Sequence, residues 1–251
     1  MNKTISNVNR YERKWVFKDI NYLELINALL RSKFLFNFQH KKRKVNSLYF
    51  DDKNFSSIRE NLDGVSHKTK HRIRWYGDKN IILNPYFEIK KKQEFETDKK
   101  TYDFKEINNY SILNDNDINQ IYLLTNKKFS IKKKIFPLLT THYDREYFIS
   151  NNNLIRATVD YNLQSRSFSK KIDNNILKNY FKNITLEIKY ETNLDIFVRK
   201  NLSSINNRLS RNSKFVNSAI YEPFCYSWAL NFLLSIKYFP TLLENPYVFL
   251  I

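Results

Sequence analysis

The chain has 251 residues, with 43 Lys+Arg against 25 Asp+Glu, a formal net charge of +18 and only two glycines. Glycine ordinarily makes up about 7% of residues, and Gly64 and Gly77 lie too far apart to share one loop. Both G-x-x-x-x-G-K-[ST] and G-x-G-x-x-G are therefore excluded, and any phosphate bound here must be held by side chains.

In chain order, Met1–Arg10 is polar and no apolar run follows, so no signal peptide is expected. Lys14–Phe17 reads as a strand, preceded by alternating Arg10, Glu12 and Lys14. Asp19 is the expected N-cap of a helix carrying Tyr22, Leu23, Leu25, Ile26, Leu29 and Leu30 at helical spacing. After the basic run Lys41–Lys44 comes a strand, Val45–Phe50, and Asp51 and Asp52 open a turn or short helix. His67–Tyr76 and Tyr86–Lys92 alternate as strands. Lys99–Asp117 is polar and reads as a loop. Thr140–Phe148, Ile155–Leu163 and Ile184–Tyr190 give three more strands, Leu194–Leu209 a helix, and the aromatic segment from Phe215 onward a helix stopped by Pro240 and Pro246. Seven or eight strands with a few helices favour an antiparallel α+β or barrel-like domain.

The single cysteine, Cys225, excludes an internal disulfide and a cysteine-rich zinc site. It lies in the aromatic segment, where a core role outweighs catalysis. Trp15, Trp75 and Trp228 read as core. His67 and His71 are four apart, but they fall on a strand and read as surface or turn rather than as metal ligands. No segment offers 18 unbroken apolar residues; the best, Phe224–Ile236, is interrupted by Asn231. Lys41–Lys44 and Lys132–Lys134 read as solvated surface, able at most to bind an acidic polymer or a membrane weakly. Abundant Lys, Asn and Ile are what an AT-rich genome writes, so net charge alone does not define a partner.

Patterning is more informative. Successive side chains of a strand point to opposite faces, so Arg72 and Arg74 share a face against Ile73 and Trp75. Glu88 and Lys90 oppose Phe87 and Ile89, Glu187 and Lys189 oppose Leu186 and Ile188, and Arg156 faces with Asp160. Arg10, Glu12 and Lys14 repeat the design, and Arg145 stands among Tyr143, Tyr147 and Phe148. One such strand is ordinary for a half-solvated antiparallel sheet. Several suggest a sheet curled with its charges inward, and inward cations require an anion because an unpaired buried charge is costly. A nucleic acid is a weaker partner, since the aromatics alternate opposite the charges and base stacking needs both on one surface.

These segments, Arg10-Tyr11-Glu12-Arg13-Lys14, Val45-Asn46-Ser47-Leu48-Tyr49-Phe50-Asp51, His71 through Gly77, Phe87-Glu88-Ile89-Lys90, Tyr143-Asp144-Arg145, Arg156 through Asp160, Leu186 through Lys189 and Ser213-Lys214-Phe215, follow in an order that resembles the VTC domain, the polyphosphate polymerase domain of the triphosphate tunnel metalloenzyme (CYTH-like) superfamily. The resemblance implies one α+β domain over residues 1–251, a closed eight-stranded antiparallel β tunnel over residues 9–218 with helices outside, then an aromatic helical segment over 219–251. It implies phosphate contacts from Lys14, Arg72, Arg74, Lys90, Arg145, Arg156, Lys189, Arg211, Ser213 and Lys214. Of these, Arg72, Arg74, Lys90 and Arg145 would act in catalysis together with Glu187, the counterpart of the family's metal-binding glutamate. Mn²⁺ or Mg²⁺ is the implied cofactor, with Glu12 and Glu88 assisting. The first strand lacks the full Glu-x-Glu-x-Lys motif, which leans away from the triphosphatase and cyclase branches. The implied activity is metal-dependent transfer of the terminal phosphate of a nucleoside triphosphate to a polyphosphate chain, in the cytoplasm. The alternatives are a triphosphatase of the same fold and a non-catalytic basic protein binding polyphosphate or nucleic acid.

Overall fold

The computed structural model describes residues 10–18, 20–93, 96–129, 131, 133–168, 178–202, 209–210 and 212–221. Nine strands form one antiparallel sheet: β1 (Arg10–Phe17), β2 (Asn37–Asp51), β3 (Lys68–Tyr76), β4 (Tyr86–Gln93), β5 (Glu96–Asp103), β6 (Phe136–Ile149), β7 (Arg156–Ser167), β8 (Lys178–Phe181) and β9 (Ile184–Glu191). Their order is β1-β9-β7-β6-β2-β3-β4-β5, with short β8 pairing with β7. Among the described residues five α-helices accompany them: α1 (Tyr22–Leu30), α2 (Ser56–Leu62), α3 (Asp115–Lys128), α4 (Asp195–Asn201) and α5 (Lys214–Tyr221).

Alternation divides the sheet into an apolar and a charged face. On the apolar face, Trp15, Phe17, Ala157, Val159, Leu186 and Ile188 form a core with Leu25, Ile26 and Leu29 of α1 and Val198 of α4. A second core gathers Leu48, Phe50, Ile73, Trp75 and Phe87 with Ile121 of α3. The expected core tryptophans Trp15 and Trp75 are both buried there; Trp228 and Cys225 lie outside the described residues. A third cluster places α5 against the charged face, where Phe215 stacks on Tyr49 at 4.7 Å.

The sheet curls but stays open, which corrects the expected closed tunnel. Strands β1 and β5 are its two edges, and no backbone pairing joins them among the described residues. The gap is spanned by side chains instead. Lys90 of β4 reaches Glu12 of β1 at 3.7 Å, although five strands lie between them along the sheet. Lys90 and Glu12 thus meet across the concave face, while the edge strands β1 and β5 make no backbone pair with each other among the described residues.

Other differences have local causes. Asn21, not Asp19, caps α1, its side chain accepting from Leu23 N; Asp19 is outside the described residues. The basic run Lys41–Lys44 lies within β2, which starts eight residues earlier than its apolar pattern suggests. The polar stretch Lys99–Asp117 is largely ordered: β5 alternates on an exposed edge, and α3 is capped by Asn114, which accepts from Asn116 N and Asp117 N. Of the expected helix Leu194–Leu209, α4 is seen among the described residues, residues 203–208 lie outside them, and Leu209 bridges to Trp15 as an isolated strand pair.

Candidate functional site

Register brings the charged residues together. Directly paired residues of antiparallel strands share a face, and the pairs Glu12↔Lys189, Lys14↔Glu187, Glu187↔Thr158, Arg145↔Asp160, Tyr49↔Arg72, Ser47↔Arg74, Arg72↔Glu88 and Lys70↔Lys90 run across β1, β9, β7, β6, β2, β3 and β4. All of them line the concave face, which α5 covers at one end. The N-terminal turn of α2, fixed beside it, explains the paired aspartates. Asp51 accepts from Ser57 N and Ile58 N at 2.9 and 3.1 Å, and Asp52 from Asn54 N and Ser56 N.

Four carboxylates hold the cations in place. Glu12 contacts Lys14 at 2.7 Å, Lys189 at 3.5 Å and Lys90 at 3.7 Å. Glu187 contacts Lys189 at 2.7 Å and Lys14 at 3.2 Å. Glu88 pairs with Arg72 at 2.6 Å and with Lys99, and its Oε2 is 4.0 Å from Arg74 Nε. Asp160 accepts both Nε and Nη2 of Arg145 at 2.6 and 2.7 Å, and Lys214 at 2.6 Å.

Burial alone would raise these carboxylates. At Glu12, Lys14, Lys90 and Lys189 together outweigh it, pulling that group down to about 2, and Arg72, Arg74 and Lys99 take Glu88 to about 2. Asp160 is likewise buried, yet Arg145 and Lys214 hold it at about 2. At Glu187 the same contest with burial is won by Lys14, Lys189 and Arg145, leaving it well below the ordinary range. All four are thus anionic, and they are far outnumbered by the basic side chains around them.

The sequence-predicted residues can now be placed. Lys14, Arg72, Arg74, Lys90, Arg145, Lys189, Ser213 and Lys214 converge with Glu12, Glu88 and Glu187 on the concave face. Arg156 lies on that face by register with Lys189 but is exposed at its rim. Arg211 is outside the described residues. Glu12 and Glu187 share Lys14 and Lys189, whereas Glu88 keeps a different set of partners.

Sequence reading missed several members. Lys70 donates to Ser213 Oγ at 2.9 Å and Asn61 Oδ1 at 3.1 Å. Burial, then the neighbouring Lys14 and Lys90, lower it to about 7. Its place two residues before Arg72 was the available signal. Lys99 was hidden in the presumed loop. Asp160 was noted only as facing with Arg156. Tyr49 and Tyr143 put aromatic rings on the charged face after all: Tyr49 OH accepts from Arg72, Tyr143 OH from Arg74, and Lys214 lies 4.7 Å above the Tyr143 ring. Both rings are buried beneath the cations, out of reach of a stacking base.

The two histidines separate: His67 is exposed beside Ser66, and His71 stacks on Phe87 on the apolar face. Among the described residues no three His, Cys, Asp or Glu side chains cluster as a metal-ligand set. Lys41–Lys44 is exposed, as expected, with Lys42 3.4 Å from Asp144 and Arg43 over the rings of Tyr76 and Tyr147.

The sequence matches the pattern of the VTC domain over residues 9–221. The chain belongs to the VTC domain family. No protein with a curated description is similar in sequence. Solved structures similar to this VTC domain include a putative adenylate cyclase from Vibrio parahaemolyticus, at 9% identity and a TM-score of 0.48, covering 83% of this chain and 96% of that one. A putative adenylyl cyclase from Hippeastrum, described as having a dominant triphosphatase activity, is similar at 14% identity and a TM-score of 0.43, covering 84% and 97%. No helix among the described residues of the VTC domain is long and apolar enough to cross a membrane.

Proposed function

We propose that this VTC domain is a polyphosphate polymerase-like phosphotransferase, moving the terminal phosphoryl group of a nucleoside triphosphate onto the end phosphate of a polyphosphate chain. The observation that carries this reading is the concave face itself. Lys14, Arg72, Arg74, Lys90, Arg145, Lys189 and Lys214 converge there from five strands and a helix, with carboxylates too few to neutralise them. A polyanion fits this charge.

The residues divide the work. Arg72 and Arg74, with planar forks suited to two phosphate oxygens at once, would orient the triphosphate. Arg145, Lys14 and Lys90 would neutralise charge developing on the transferred group as an acceptor oxygen bonds to the γ-phosphorus and the β–γ bridging bond breaks, releasing nucleoside diphosphate. An end phosphate is already a nucleophile, so this transfer needs no base.

The donor set fits a divalent cation. Glu12 and Glu187 are diagonal neighbours on β1 and β9 that share Lys14 and Lys189, and Thr158, paired with Glu187 in register, keeps a buried Oγ1 without a partner. Magnesium is commonly held by one or two carboxylates plus phosphate oxygens. Glu187 with Glu12 would hold Mn²⁺ or Mg²⁺ once the lysines turn to phosphate, and the ion would supply further charge neutralisation at the phosphate oxygens.

A triphosphatase is the second reading, and Lys70 is the observation that favours it. A buried amine lowered to about 7 by burial and by Lys14 and Lys90 can accept a proton from an attacking water at neutral pH.

Incubating the protein with ATP and Mn²⁺ and separating the products distinguishes the readings. Long chains support the polymerase, and orthophosphate alone the hydrolase. No turnover by the wild type, with tight duplex DNA binding, overturns both. Glu187→Ala is expected to lose metal-dependent turnover by at least about a hundredfold.

A further inference from the structure

We propose that Ser47 and Thr141 are further anion-binding residues, forming with Arg74 a subsite for one phosphoryl group on the floor of the concave face. The inference rests on the polyphosphate reading and deepens it. Arg74 (β3), Ser47 (β2) and Thr141 (β6) are directly paired in register, Arg74↔Ser47 and Ser47↔Thr141, and so form one continuous row across three neighbouring strands on the charged face. Arg74 is 9% exposed, and Ser47 and Thr141 are fully buried.

Each contributes a buried polar atom with no hydrogen-bond partner: Arg74 Nε, Ser47 Oγ and Thr141 Oγ1. Arg74 Nη2 donates to Tyr143 OH at 3.3 Å, but its Nε stays 4.0 Å from Glu88 Oε2, beyond hydrogen-bond reach. A buried polar group left unmade is destabilising, and such groups are rare enough to need a reason. Three in adjoining register positions, one of them cationic, are aimed at the same small region. Their common complement is a compact oxyanion accepting from all three. A phosphoryl group meets that need, with two lone-pair-rich oxygens for the hydroxyls and one for the guanidinium. Most of the surrounding cations, Lys70 apart, pair with Glu12, Glu88, Asp160 or Glu187, whereas Arg74 Nε has no carboxylate within hydrogen-bond distance, so an incoming phosphate meets little competition at this row.

The test compares the wild type with a Ser47→Ala/Thr141→Val double variant, using titration calorimetry with orthophosphate, pyrophosphate and tripolyphosphate and thermal unfolding without ligand. Removing orphaned hydroxyls is expected to leave the unliganded melting midpoint unchanged or raised, while tripolyphosphate affinity falls at least about tenfold. A loss confined to tripolyphosphate assigns the subsite to a chain end, and an equal loss for orthophosphate assigns it to free phosphate; both support the proposal. Wild-type binding with unchanged affinity of the variant for all three ligands means that the row holds only buried water, and overturns it. Absence of any binding by the wild type instead removes the polyphosphate reading itself. Should the double variant not fold, Thr141→Val alone, nearly isosteric, carries the same comparison with a smaller expected loss.

Discussion

At the scale of single residues, the concave face is defined by which cations lack a carboxylate. Lys14, Lys90, Lys99, Lys189 and Lys214 each contact at least one, whereas the partners of Lys70 are the neutral Asn61 and Ser213. Burial and the adjacent cations lower Lys70 to about 7. The sign follows from the ordinary lysine value near 10.5. Between about pH 7 and pH 10.5 the unfolded chain carries a proton at this position that the folded one does not, so stability rises with pH across that window. Below pH 7 both states are protonated and the full cost of a buried ammonium remains. Lys70→Met is therefore expected to raise stability by at least about 1 kcal/mol at pH 6 and by much less above pH 10, measured by denaturant unfolding at both pH values. Equal effects at the two would place Lys70 as a charged ligand-site lysine. The face that Lys70 belongs to is legible in the sequence, because Lys70, Arg72 and Arg74 alternate. Its want of a carboxylate is not, because Asn61 and Ser213 reach it through the fold.

At the scale of elements, the strands whose one face is charged and the other apolar were the most legible. Ile73 and Trp75 against Arg72 and Arg74, or Leu186 and Ile188 against Glu187 and Lys189, satisfy both local propensity and burial. Elements lacking that contrast were not read. Strand β5, Glu96–Asp103, is polar along its length because it is an edge, and α3 presents only Ile121 and Thr125 as buried residues. Helix α5 ties the two levels together. Phe215, 1% exposed, stacks on Tyr49, and the two residues before it, Ser213 and Lys214, hold Lys70 and Asp160. Phe215→Ala is expected to cost about 3–5 kcal/mol through the cavity left behind and also to weaken tripolyphosphate binding, although Phe215 itself packs in the apolar cluster around Tyr49. Unfolding and calorimetry on the same variant check both. A stability loss with undiminished affinity would separate the docking of α5 from the site.

At the scale of the whole molecule, the openness of the sheet was the least legible property. Closure depends on whether the two edges come within pairing distance, and no strand encodes that alone. Glu12 on β1 holds Lys14 of its own strand and Lys189 of the neighbouring β9, and only its 3.7 Å contact with Lys90 of β4 reaches the other end of the curled sheet, where an ion pair stands in place of a ladder. Such a joint is weaker and more easily screened than backbone pairing. A phosphate chain on the concave face would contact Lys14 and Lys189 from one end and Lys90 and Arg72 from the other, adding several charge-assisted hydrogen bonds across the same gap. Ligand bound only to the folded state stabilises it by about 2.7 kcal/mol at a hundred times its dissociation constant. If it bridges the gap, that gain is concentrated at β1 and β4, whose side chains meet across it. Hydrogen exchange of the β1 and β4 amides is therefore expected to slow on adding tripolyphosphate, more than that of β6 at the middle of the sheet, and the difference should shrink as salt is raised. Protection that is uniform across the sheet would mean that the anion binds on one side and leaves the gap unspanned.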